Sequence, residues 1–123
     1  MAVQDDHMIR NIQDVGRLIA KLLLHEQQPN YTLPENEADY TEADKLFVTI
    51  MKLAEEGKIN EAENELYVGM VEDDVDYLEL ALTFYLYLND MDGDFLDNNG
   101  YSREEVLDGM KELASDWGVT GLA

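Results

Sequence analysis

The acidic stretch over residues 90–106 holds the residues whose types and spacing come closest to a recognisable site; it reads DMDGDFLDNNGYSREEV. An EF-hand calcium loop places oxygen ligands at its first, third and fifth positions, glycine at its sixth and a bidentate glutamate at its twelfth. With the glycine of DNNG at the sixth position, Asp97 and Asn99 fill the third and fifth. The first and twelfth positions then fall on Phe95 and Val106, which have no side-chain oxygen to donate. We therefore predict that this stretch is not an EF-hand.

The same stretch has the features of a connection between two helices. Ser102 and Glu105 are spaced as a capping box, in which the serine hydroxyl accepts a hydrogen bond from the first helical turn and the glutamate accepts from the serine's backbone N–H. Asn98, Asn99 and Gly100 suit the preceding turn, because these residue types tolerate positive φ. A weak cation site stays open as an alternative, since four carboxylates lie close together in sequence: Asp90, Asp92, Asp94 and Asp97.

Residue types that carry catalysis are few in this chain. It has no cysteine, which excludes disulfides, thiolate metal sites and a cysteine nucleophile. Its histidines, His7 and His25, have no partner at a metal-ligand spacing. The two serines, Ser102 and Ser115, form no serine–base pattern, and there is no glycine-rich phosphate loop. We expect no enzymatic activity, no cofactor, and no catalytic, cofactor-binding or metal-binding residue.

The charge of the chain is strongly unbalanced. Twenty-eight Asp and Glu residues against eight Lys and Arg residues give a formal net charge of −20 at pH 7. Residues 1–25 hold three charges of each sign, so the whole excess lies in residues 26–123. Such a charge argues against nucleic acid or an anionic membrane surface as a partner. It is explained either by solvated helix faces or by attraction for a basic protein partner.

Length and hydrophobic patterning predict one all-α domain. With 123 residues, 46% of them hydrophobic, the chain is long enough to bury a core without disulfides. Its apolar runs are too short to span a membrane, and its N-terminus lacks the pattern of a secretory signal, so we expect a cytoplasmic protein. The domain divides into an N-terminal helix, residues 1–25, a proline-containing linker, residues 26–41, and helical hairpins, residues 42–118.

Helical periodicity predicts five helices that pack as an antiparallel bundle. Thr41 with Asp44 resembles a cap for the second helix, and Gly57 ends that helix. The fourth helix, VDYLELALTFYLYL from Val75, is apolar almost all round and is typical of a central buried helix. The five helices start near the N-terminus, at residue 42, at Asn60, at Val75 and at Ser102.

The second and third helices resemble the hairpin of a tetratricopeptide repeat, a unit of two antiparallel helices over about 34 residues. Ala62 is the small residue that lets the two helices approach closely, and Gly57 matches the turn between them. Leu96 stands where a second repeat would need the same small residue. We therefore predict one repeat-like hairpin followed by a divergent one, not a regular array.

The first helix carries an apolar stripe wide enough to need burial. The long linker permits this stripe to dock on its own domain or on a second copy of the chain. Because the helix is neutral, it approaches another acidic chain without strong repulsion. We hypothesise a homodimer contact through this helix, with docking on its own domain as the alternative. The stripe consists of Met8, Ile12, Val15, Ile19, Leu22 and Leu23.

Four passages carry a family resemblance; they read DHMIRNIQDVGRLIAKLLL, EEGKINEAENELY, DYLELALTFYLYLNDM and YSREEVLDGMKELASDWG. Together they resemble a family of small, acidic proteins of unknown function from anaerobic Firmicutes. The resemblance implies a bacterial, mostly helical, cytoplasmic protein and assigns no catalytic residue. We expect a non-catalytic protein–protein interaction or scaffold domain. The alternative is a helical domain that binds a small molecule or a cation between its helices.

Overall fold

The computed structural model describes residues 2–121, with side chains from residue 6 onward. This part of the chain contains six α-helices and no strand, which confirms the predicted all-α fold. None of these helices is long and apolar enough to cross a membrane. The helices are α1, Ala2–Ile19, continued by a π-helical turn, Ala20–Leu24; α2, Glu42–Glu55; α3, Ile59–Gly69; α4, Val75–Asn89; α5, Gly93–Asn98; and α6, Arg103–Asp116.

The helix that the sequence pattern missed is α5, inside the acidic stretch that we predicted to be a connection. Asp92 caps it by accepting a hydrogen bond from the backbone N–H of Asp94 at 2.9 Å. Leu96 is buried and ties this short helix to the core. Six residues are too few to show helical periodicity, which is why the segment was read as a turn. The capping box of Ser102 and Glu105 is confirmed at the start of α6.

Helix α4 is the centre of the fold, as its apolar sequence predicts. It packs against α1, α2 and α6. Its buried side chains cover more than half of its circumference, whereas Glu79, Thr83 and Leu86 on the remaining face are partly exposed. The buried residues are Tyr77, Leu78, Leu80, Ala81, Leu82, Phe84, Tyr85, Leu88 and Asn89.

Helices α2 and α3 form a tight hairpin. The capping box predicted for Thr41 and Asp44 is present at the start of α2. Gly57 has a φ of +86° in the turn, a conformation that suits glycine. Ala62 is completely buried, and α2 and α3 make the most extensive contact between any two helices. The position of Ala62 agrees with the repeat-like hairpin, although the likeness to a tetratricopeptide repeat stays a prediction.

The apolar stripe predicted for the first helix is buried within its own chain except at Leu22, which lies in the π-helical turn after α1 and is 52% exposed. Ile12, Val15 and Ile19 belong to the main core, and α1 packs against α4 and α6. The structure therefore shows the docking that we gave as the alternative to a dimer. Homodimerisation stays a prediction, and it would have to use the outer face of α1 and of the π-helical turn, where Leu18 and Leu22 are exposed.

The connection between α1 and α2 is long, and it is packed against the domain. The ring of Tyr31 lies 4.8 Å from that of Phe47, centroid to centroid. The Tyr31 hydroxyl donates a hydrogen bond to Asp44 at 2.6 Å, and its backbone N–H donates to the Thr83 hydroxyl at 3.1 Å. Pro29 is buried. These contacts fasten the connection across α2 and α4, because its few apolar side chains find partners there.

Candidate functional site

A surface hollow of about 430 Å³ lies between the C-terminal ends of α3 and α6. Tyr67 and Val71 on its wall are 42% and 46% exposed, so the hollow presents apolar surface to solvent. Acidic residues lie among these apolar groups, and no basic residue lines the hollow. The lining consists of Tyr67, Met70, Val71, Glu72, Asp73, Leu113, Asp116 and Trp117.

A second hollow of about 220 Å³ continues from the first toward the N-terminal end of α6. Tyr67 lines both hollows, so we describe them together as the α3–α6 groove. This second part also contains no basic side chain. Its lining is Glu63, Tyr67, Glu105, Asp108, Gly109 and Glu112. The groove thus runs from an apolar end near Trp117 to an acidic end near Glu105.

The groove exists because α3 and α6 share little direct contact with each other. α3 packs on α2, whereas α6 packs on α1 and α4. On α6, the apolar side chains at helical spacing turn into the core, and the acidic ones fall on the opposite face. Glu105, Asp108, Glu112 and Asp116 follow one another by three or four residues, so they form one acidic stripe along the groove wall.

A network of tyrosine hydroxyls lies beneath the acidic end. Glu63 accepts hydrogen bonds through the same carboxylate oxygen, Oε2, from the hydroxyl of Tyr85 at 2.7 Å and from that of Tyr101 at 3.1 Å. The hydroxyls of Tyr67 and Tyr85 are 3.3 Å apart. Burial, and then the charge of Glu63, raise the pKa of Tyr85 and of Tyr101 above the usual tyrosine value. Both hydroxyls therefore stay protonated and donate to Glu63 at neutral pH.

Gly109 makes room for this network. A Cβ atom at this position would lie 2.5 Å from Cε1 and 2.7 Å from the hydroxyl oxygen of Tyr85. The buried ring of Tyr85 therefore occupies the space that the side chain of any other residue type at position 109 would fill. A glycine in the middle of a helix costs about 1 kcal/mol relative to alanine. Here that cost is offset by the placement of Tyr85 against Glu63.

Of the candidate residues named in the sequence, Glu105 lines this groove, where its carboxylate also accepts hydrogen bonds from Ser102, and the others lie outside it. His7 and His25 are exposed, Ser102 is occupied as a helix cap, and Asp97 is exposed at the end of α5. Within the described part of the chain, no group of three or more His, Asp or Glu side chains is placed to hold a metal ion. The groove presents carboxylates, aromatic rings and tyrosine hydroxyls. Its chemistry is that of binding positively charged and apolar groups.

Sequence reasoning missed the residues that build the groove. Glu63 and Tyr67 are spaced one helical turn apart on α3, but nothing in the sequence pairs them with Tyr85 and Tyr101. Trp117, just after the end of α6, is partly exposed in the groove. The sequence feature that could have indicated the groove was the spacing of acidic residues on α6 by three or four positions. Acidic residues are so abundant elsewhere in the chain that this spacing did not stand out.

A family model matches residues 2–118 of the chain. The chain belongs to DUF6483, a family of unknown function. This confirms the predicted resemblance to a family of unknown function, while the bacterial source stays a prediction. No curated protein and no solved structure matches this DUF6483 chain.

Proposed function

We propose that this DUF6483 chain is a non-catalytic protein–protein interaction domain that binds a positively charged segment of a partner protein in the α3–α6 groove. The observation that carries the proposal is the composition of the groove. It combines exposed apolar side chains with carboxylates on both walls, and it is lined by no basic residue. A segment with both cationic and apolar side chains is complementary to it in charge and in polarity.

The apolar end would supply most of the affinity. Aromatic residues are enriched among the side chains that dominate binding energy at protein interfaces, and the groove offers Tyr67 and Trp117. Covering them and the neighbouring Val71 removes apolar surface from water, which is worth about 25 cal/mol per Å² before the costs of association.

The acidic end would supply specificity and speed of association. Glu105, Asp108 and Glu112 are exposed, so each ion pair with a partner would contribute only about 0–1 kcal/mol. Their summed field, added to the net charge of −20, attracts a cationic segment and repels an acidic one. The interaction should therefore weaken as salt is added.

The small-molecule alternative is supported by the same apolar end. An aromatic face beside a carboxylate is a favourable environment for an organic ammonium group, and Tyr67, Trp117 and Asp116 line one hollow. A polyamine is the simplest compound with this chemistry. The proposed assignment also includes a cytoplasmic location in a bacterium, which is based on the sequence pattern and the family resemblance.

The sole tryptophan allows a direct test, because Trp117 lies in the groove. We would titrate the protein with a Lys- and Leu-containing peptide, with the same peptide carrying Glu for Lys, and with spermidine, and follow tryptophan emission. The expected result is saturable binding of the cationic peptide alone, weakened several-fold by Asp108→Asn with Glu112→Gln. Glu55→Gln with Glu61→Gln is the matched control, since both residues are exposed outside the groove.

Two outcomes would contradict the proposal. Equal binding by the peptides of opposite charge, or equal loss in the control variant, would show that the groove does not select a cationic segment. Saturable binding of spermidine with no binding of the peptide would support the small-molecule alternative.

A further inference from the structure

We infer that the segment bound in the α3–α6 groove is an amphipathic α-helix of a partner protein, with basic residues along one face and a bulky apolar residue at one end. This inference rests on the proposed function and adds the conformation and the residue spacing of the partner. It follows from the backbone of the groove walls, the spacing of the acidic stripe and the separation of the two ends.

The groove offers nothing with which an extended peptide could pair. Both walls are helices, in which backbone N–H and C=O groups bond within the helix, and the described residues contain no strand whose edge a peptide could extend. An extended segment lying over Tyr67 and Leu113 would cover its own backbone groups with apolar surface and leave them without partners. A helix satisfies these groups internally and presents only side chains.

The acidic stripe has the period of a helix because it is itself helical. From Glu105 to Asp116, the α-helical rise of about 1.5 Å per residue gives a stripe of about 16 Å, with neighbouring acids about 4.5–6 Å apart along the axis. Basic residues spaced three, four and four positions apart on a partner helix reproduce these intervals. Basic residues on one face of a strand repeat at about 6.6 Å and would fall out of step by about 3 Å over the same length.

The two ends of the groove place the apolar group at one end of the partner's basic stripe. Met70, Val71, Leu113 and Trp117 all lie in the hollow at the C-terminal end of α6. The opposite hollow offers Glu105, Asp108 and Glu112 and no aliphatic side chain. A large aliphatic or aromatic side chain therefore fits beside the partner's basic residue that meets Asp116.

A second copy of this chain is a poorer occupant. The outer face of α1 and the π-helical turn exposes Arg10, Arg17 and Lys21, but Asp6 and Asp14 are exposed on the same face. Arg17 is already paired with Asp14 at 3.2 Å. The face is thus close to neutral, whereas the groove requires a segment with a clear excess of positive charge.

The test compares two peptides of identical composition with Lys at four positions spaced three, four and four apart and one Leu at the end. In the first peptide a proline stands at one end, so the rest of the peptide can form a continuous helix. In the second, the same proline is moved to the centre, where it breaks the helix. The helical peptide should bind at least tenfold more tightly by Trp117 emission, and circular dichroism of the mixture should exceed the sum of the components in helix content. Equal affinities that depend on Asp108 and Glu112 would overturn the helical partner while the proposed function stands.

Two exposed valines supply a matched pair of variants on the protein side. Val71→Asp places a charge in the apolar hollow and should weaken binding of the helical peptide about tenfold, whereas Val68→Asp, at a more exposed position outside the lining, should leave it unchanged. Binding that is insensitive to both variants, or absent for both peptides, would overturn the inference, and absence would also overturn the proposed function. If the protein self-associates and Glu112→Gln abolishes this self-association, the groove binds a second copy of the chain, and the inference of a different partner protein is overturned.

Discussion

Replacing Gly109 by alanine tests whether the tyrosine network beneath the groove is as tightly fitted as the structure shows. The new Cβ would lie 2.5, 2.6 and 2.7 Å from three atoms of the Tyr85 side chain. The Tyr85 side chain is 1% exposed, and its ring lies edge-on to that of Phe84 with centroids 5.3 Å apart. Its hydroxyl donates a hydrogen bond to Glu63 at 2.7 Å. It cannot yield without losing packing or its hydrogen bond.

The expected magnitude follows from three contributions. Alanine gains about 1 kcal/mol over glycine in a helix interior. Overpacking costs about 1–3 kcal/mol. Moving the Tyr85 hydroxyl away from a charged acceptor loses about 1.5–3 kcal/mol, of which we take the lower part because Glu63 is only half-buried. The sum predicts a net loss of roughly 1.5–3.5 kcal/mol in the free energy of unfolding.

Gly16→Ala is the matched control, because Gly16 is also a buried glycine within a helix. Its Cβ would meet Met110 Cε at 3.0 Å and Leu86 Cδ2 at 3.2 Å, which are the ends of flexible side chains. The same gain in helix propensity is then set against a smaller packing cost, so we expect a change near zero.

The assay is urea unfolding followed by circular dichroism, with the slopes compared to confirm that the midpoints report stability. If Gly109→Ala unfolds at the same midpoint as Gly16→Ala, Tyr85 has room to move, and the fitted network is refuted.

Three further predictions concern the core, acid sensitivity and calcium. Ala62→Leu should lose about 1–3 kcal/mol in unfolding by urea, because Ala62 is completely buried between α2 and α3. The hydrogen bonds from Tyr31 and from the Thr41 backbone lower the pKa of Asp44 in the folded state. The ionised carboxylate therefore stabilises the fold fully above its unfolded pKa of about 4, and this stabilisation is lost as the pH falls through the folded pKa. Asp44→Asn should therefore lessen the drop in melting temperature below about pH 4. Calcium should stabilise the protein no more than magnesium does, and Asp97→Asn should leave the effect unchanged in a thermal-shift assay, because relief of self-repulsion needs only counterions.

Each of these predictions has a control and an opposing result. Ala38→Leu, at an exposed position, should be harmless, and an equally harmless Ala62→Leu would mean that the hairpin is looser than the structure shows. Asp39→Asn should keep the full acid sensitivity, and an unchanged profile for Asp44→Asn would remove the role given to its hydrogen bonds. A single calorimetric calcium site that disappears in Asp97→Asn would show that the acidic stretch binds calcium specifically.

Local patterns in the sequence determined much of the fold. The capping boxes at Thr41 and Ser102, the turn at Gly57 and the buried position of Ala62 all agree with the structure. These features depend on residues within one or two helical turns of one another, so their types and spacing are sufficient to predict them. The apolar character of the run from Val75 likewise identified the central helix.

Only the tertiary structure decided where the elements lie relative to one another. In the sequence, the apolar stripe of α1 was compatible with docking on its own domain and with a homodimer contact. The structure shows it packed against α4 and α6 of its own chain. The groove joins Glu63 and Tyr67 to Trp117 and the acids of α6, more than 35 residues away along the chain. No local pattern encodes that approach, because it results from α3 packing on α2 while α6 packs on α1 and α4, and from a glycine whose missing Cβ admits the ring of Tyr85.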